Sequence, residues 1–251
     1  MSQILGNSRR DAVVDREVVF YDRNWNPVSR SSEQISRDIP EGDAHRTGLL
    51  IDQIGSDLRP GQYFMSVQIQ QPETQAIQIY KTPITVEAYR QPDDHLDISD
   101  VEIADSITLQ SEVSGSGLFQ KDKLTVVPLP TRDISPNRPV SLYFEIYNLT
   151  RDTFGKTRYQ VDYEMETASE RFTIVNALGR LIGQGADGPS GRVSYEHDGD
   201  TRDEQMHIEL SVREIEGSTV RVTVQVTDLL SESDIPAQTS AARSIDLNLI
   251  R

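Results

Sequence analysis

Cysteine is absent from the 251 residues. That removes disulfides, thiolate metal sites and thiol nucleophiles together, and it leaves the redox compartment open. Aromatic side chains are scarce at 6%, with a single tryptophan, Trp25. No apolar run approaches the roughly 18 residues that a spanning helix needs. The start, Met1 to Arg10, lacks the apolar stretch of a secretory signal, so a cytoplasmic protein, a processed secreted form and a piece of a longer chain all fit it. Basic residues are outnumbered, 25 Lys and Arg against 40 Asp and Glu, for a net charge of −15. Repulsion of like charge argues against nucleic acid and anionic membrane as partners.

Apolar residues make up 36% of the chain, few but strongly periodic, unlike an acidic disordered tail. Helical spacing with caps is missing, and alternation with a period of two is plentiful. Tyr63, Met65, Val67 and Ile69 fall on one face of a strand, and Val220, Val222, Val224 and Val226 on one face of another. Leu142, Phe144 and Ile146 oppose Tyr143, Glu145 and Tyr147, and residues 159–165 repeat the pattern. Such segments read as half-buried antiparallel strands. Turn signals at Asn24 to Pro27, Arg59 to Gly61, Ser135 to Asn137 and Asp198-Gly199 punctuate them. The fold expected is all-β, with tandem immunoglobulin-like or fibronectin-like antiparallel β-sandwiches.

Arg90-Gln-Pro-Asp-Asp-His-Leu-Asp97 is polar and contains a proline. It divides the chain into a module at 1–92, a linker at 93–99 and a module at 100–251. Three segments of the first module resemble segments of the second in the same order: 18–28 with 172–182, 58–63 with 215–220, and 82–89 with 242–249. The second copy is preceded by extra strands near 101–109, 123–127, 140–149 and 157–166. The first module therefore reads either as an incomplete sandwich from the end of a longer protein or as a small five-stranded domain, and an open sheet edge near the chain start is expected.

Residues 98–165 carry a family resemblance. Ile98-Ser-Asp-Val-Glu-Ile-Ala-Asp105, Leu124-Thr-Val-Val-Pro-Leu-Pro130 and, most specifically, Val140-Ser-Leu-Tyr-Phe-Glu-Ile-Tyr-Asn-Leu149 resemble segments of bacterial GWxTD-domain proteins. Tyr159-Gln-Val-Asp-Tyr-Glu-Met165 follows in kind. The Gly-Trp-x-Thr-Asp motif itself is missing, since Trp25 sits in Asn-Trp-Asn-Pro. The resemblance implies a bacterial periplasmic, cell-envelope or secreted protein with β-sandwich modules. It brings no catalytic residues.

Few residues suggest chemistry. Gly183-Gln-Gly-Ala-Asp-Gly188 matches a dinucleotide fingerprint literally, but Pro189-Ser-Gly191 cannot open the helix the fingerprint needs, so it reads as a loop. Asp198, Asp200 and Asp203 offer carboxylates at a spacing calcium accepts. The EF-hand register fails, though, because Asp203 stands where glycine is required, and an acidic hairpin loop is the competing reading. Asp93, Asp94, His95 and Asp97 form a weaker metal cluster. The four histidines are scattered, and no nucleophile elbow exists. Tyr143, Glu145 and Tyr147 form either a binding platform or, with both faces of their strand covered, part of a core. The expectation is a non-catalytic binding or structural module without a cofactor, calcium being the one ion in question. Its partner would be a protein or an upstream part of the same polypeptide. The alternatives are a carbohydrate-active or other hydrolytic enzyme domain and a calcium-dependent adhesion module.

Overall fold

The computed structural model describes residues 10–39, 51–89, 95–109, 119–167, 171–172, 192–213, 215, 218–233 and 239–250. The fold is all-β, and the chain divides into two compact units, Met1–Ala88 and Tyr89–Arg251.

The first unit contains β1 (Arg10–Tyr21), β2 (Pro27–Ile39), β3 (Gly61–Gln71) and β4 (Ala76–Val86), in one antiparallel sheet of order β2-β1-β3-β4. Residues opposite one another in an antiparallel ladder share a face. Val18 pairs with Val67 and Phe20 with Met65, so the alternation read from residues 63–69 meets its counterpart on β1. Val18, Phe20 and Ile35 are buried. Arg16 is buried among them, ion-paired to Glu33 on β2 and to Asp52. Asp52 belongs to the irregular segment 51–60, and the Ser56 hydroxyl of that segment bonds Ser29 at 2.9 Å.

An incomplete sandwich or a small five-stranded domain was expected here. Among the described residues the first unit has one sheet, and an irregular segment reaches its buried arginine in place of strands. The opposite face carries the turn at 22–26. Asp22 accepts from the Asn24 and Asn26 backbone and from Asn26 Nδ2. That knot sets Trp25, at φ 65°, flat on Phe64 with ring centres 4.5 Å apart.

The second unit is a sandwich of two sheets. One sheet orders β14 (Glu204–Leu210), β10 (Val140–Tyr147), β6 (Glu102–Leu109), β8 (Leu124–Pro128) and β7 (Gln120–Lys121), with β5 (Asp97–Ile98) also on β10. The other orders β12 (Arg171–Phe172), β11 (Thr157–Thr167), β15 (Thr219–Asp228), β16 (Ser240–Leu249) and β9 (Asp133–Ile134), with β13 (Arg192–Gly199) also on β11. Every pairing is antiparallel except the short β16–β9 contact. The inward rows, Val140, Leu142, Phe144 and Ile146 on β10 against Val220, Val222, Val224 and Val226 on β15, enter a single buried apolar cluster. Each such side chain stabilises the unit by roughly 1.5–3 kcal/mol.

Three expectations change. Leu96 and Ile98, read as linker, are 2% and 1% exposed and belong to that cluster, so the second unit begins before residue 100. Residues 200–203, read as a hairpin loop, join β13 in one sheet to β14 in the other, so they form a crossover at one end of the sandwich. The repeat read from the sequence meets a difference at its first anchor: β1 lies against β3, whereas Phe172 of β12 pairs with β11. Residues 173–182 lie outside the described residues.

Candidate functional site

Tyr143, Glu145 and Tyr147 alternate with the inward row of β10 and so lie on the outer face of its sheet. Tyr143 is fully buried and Tyr147 is 9% exposed. Their hydroxyls donate to the two oxygens of the Glu145 carboxylate, each at 2.7 Å. Ser99 fixes the backbone there, its N–H donating to the Glu145 carbonyl and its hydroxyl accepting from the Glu145 N–H. Lys121 of β7 places its ammonium 4.4 Å from the centre of the Tyr143 ring and ion-pairs with Glu102, the residue facing Tyr143 across the β10–β6 ladder. Tyr143 packs with Ala104, Leu124 and Val126 into a second, smaller apolar cluster. Burial, and next the bond to Glu145, raises the Tyr143 phenol well above its ordinary value, so it stays a proton donor.

Tyr89, whose ring centre is 5.3 Å from that of Tyr147, completes an open recess of about 520 Å³ with Ser99, Asp100 and Glu102. The floor of this recess is a closed network. Tyr143 is core, and its hydroxyl is spent on Glu145 rather than presented to a ligand.

The three aspartates do not converge. Asp200 accepts from Lys156, and its carbonyl accepts from Arg151. Asp203 accepts from the Asn148 backbone N–H at 3.3 Å, and Asp198 is exposed at the end of β13. Among the described residues no group of three or more His, Asp or Glu side chains could hold a metal ion. Asp93 and Asp94, and the glycine-rich sequence at 183–188, lie outside the described residues.

Other carboxylates are engaged inside the second unit. Asp162 is 2% exposed on the outer side of β11, where burial works to raise its carboxyl. Arg192, Ser194 and Gln160 outweigh that and hold it below the ordinary range. Asp228 accepts from the backbone N–H groups of Thr150 and Leu230 at 2.7 and 2.9 Å, tying the loop after β10 to the end of β15.

The surface that sequence reading missed is the first half of β4. Ala76 to Lys81 are exposed on both faces, with Ile77 at 53%, Ile79 at 59% and Tyr80 at 62%. β4 is an edge strand, with no neighbour beyond it among the described residues. Pro83 faces Phe64 and has no N–H to give it, so it occupies a position where the backbone points away from β3. Every second residue does the same, so the N–H and C=O groups of Ile77, Ile79 and Lys81 point at the open edge. The signal was legible: Ala-Ile-Gln-Ile-Tyr alternates and carries no charge. Comparison with protein-family models and with curated proteins gives no match to this chain.

Proposed function

We propose that the protein is a non-catalytic β module that recognises a protein partner by adding a strand to the β4 edge. Taken with the resemblance of residues 98–165, this makes it a binding part of a bacterial cell-envelope or secreted protein. The observation that carries the reading is the uncharged stretch Ala76–Tyr80, which combines backbone groups that face no strand among the described residues with exposed isoleucines. Natural sheets normally blunt such an edge with charge, proline or a cover, and an extended peptide that pairs with it gains a backbone ladder plus alternate side-chain contacts. Glu102, Glu145, Asp162 and Asp228 each accept from the chain's own donors, which suits a structural role for these four acids.

The test is display selection of extended seven-residue peptides on the immobilised full chain at low density, with Ile79→Pro as the counter-target. Proline at residue 79 removes an outward N–H without touching the bonds to β3, so the variant should melt as the parent does. Enrichment of alternating apolar peptides on the parent, lost on Ile79→Pro, is the expected result. Equal recovery from both proteins would overturn the reading.

A further inference from the structure

We infer that the strand added to β4 is β4 of a second copy of this chain, antiparallel and centred on Ile79, so that two four-stranded sheets join into one. The inference rests on the edge reading above and names its occupant. The pairing window is bounded on one side by the turn at 72–75 and on the other by Pro83. The stretch between, Ala76–Thr82, has Ile79 at its midpoint and an outward-pointing backbone at Ile77, Ile79 and Lys81. A two-fold axis at Ile79 therefore uses the whole window, each copy matching donor to acceptor with the same residues of the other.

The side chains agree with this register. On one face Ile79 meets Ile79 and Ile77 meets Lys81, and on the other Gln78 meets Tyr80. The only charge in the window, Lys81, thus lies opposite an isoleucine, and in its own copy its ammonium sits 5.7 Å from the centre of the Trp25 ring. A parallel arrangement would bring the two Lys81 ammoniums side by side, and like charges on adjacent strands repel. Symmetry favours the same answer. The opposite edge, β2, carries Arg30 and Glu33, both exposed, the charged edge that resists further pairing. Joining β4 to β2 would be head-to-tail and open-ended, whereas joining β4 to β4 closes as a dimer and leaves both charged edges outside.

The experiment pairs sedimentation of the full chain over a micromolar-to-millimolar series with hydrogen exchange read at the Ile77, Ile79 and Lys81 amides. The expected result is a shift from monomer to dimer mass, with those amides becoming protected over the same range. Ile79→Lys sets two ammoniums against each other on the axis and should weaken the dimer about ten-fold or more, equivalent to about 1.4 kcal/mol or more. Val28→Lys, on the other edge, should leave it unchanged, and both variants should melt as the parent does. A monomer throughout with freely exchanging edge amides overturns self-pairing but leaves the edge open to another strand. Protection of those amides in the monomer overturns both readings, and a dimer indifferent to Ile79→Lys overturns the site.

Discussion

At the scale of the residue, buried polar groups decide more than the exposed acids that dominate the composition. His197 stacks on Tyr159 with ring centres 5.3 Å apart, and its Nε2 is buried without a hydrogen-bond partner. Burial lowers its pKa from 6.5, against an upward pull from Asp198 and Glu204. The unfolded chain therefore binds a proton here more readily than the folded one. This histidine's contribution to stability is complete above pH 6.5 and falls as the pH drops through 6.5 towards the lower folded value. The parent should lose more urea resistance between pH 7.5 and pH 5.5 than His197→Asn does, and equal losses would refute the assignment. The tyrosine pair gives a second expectation. Tyr143→Phe or Tyr147→Phe deprives one Glu145 oxygen of its donor and should cost about 1–2 kcal/mol. The double variant should cost less than the sum, because both hydroxyls serve one carboxylate. Chemical denaturation of the four proteins measures that cycle.

At the scale of the element, the strands that alternate most cleanly were read almost to the residue. β10, β11 and β15 each put an unbroken apolar row into one core, and a period of two leaves no other reading of Val220 to Val226. What the sequence hid was pairing. β13 and β14 are consecutive and alternate, as hairpin strands do, yet Gly199 ends one sheet and Glu204 starts the other. A Cβ at Gly199 would collide with the Glu204 carboxylate and the Thr157 hydroxyl, a closeness visible only once the sheets are stacked. The short β5 was read as linker because Leu96 and Ile98 are too few to show a period. The Tyr143 platform was ambiguous for a related reason: alternation places a side chain on the outer face but does not say what packs there, and Lys121 and Glu102 come from distant segments. Asp228 is the element-scale counterpart of a cap. Asp228→Ala leaves two backbone donors without their acceptor and should cost about 1–3 kcal/mol. Asp228→Asn, which keeps an acceptor oxygen, should cost less, and the two urea midpoints make the comparison.

At the scale of the whole molecule, the two units are built to different standards. Among the described residues, the first buries Val18, Phe20 and Ile35 beside an ion-paired arginine, with Val19 on the other face of the sheet, whereas the second packs two sheets onto a continuous apolar cluster. A charge pair buried beside so small a core adds little net stability. The first unit should therefore unfold at lower denaturant. Trp25, the one indole in the chain, reports that unit alone, and near-ultraviolet dichroism of the buried tyrosines reports the second. Two separated transitions, indole first, are expected, and coincident curves would refute the ranking. Pro83 has a consequence for anything meant to compete at the β4 edge. Such a peptide gains affinity as it covers Ala76–Thr82 and little from its next step, because Pro83 holds an outward position of the ladder and has no N–H to donate. In a length series of inhibitors, potency should climb and then level off at the proline, so that one ring in the sequence acts as the ruler for a drug.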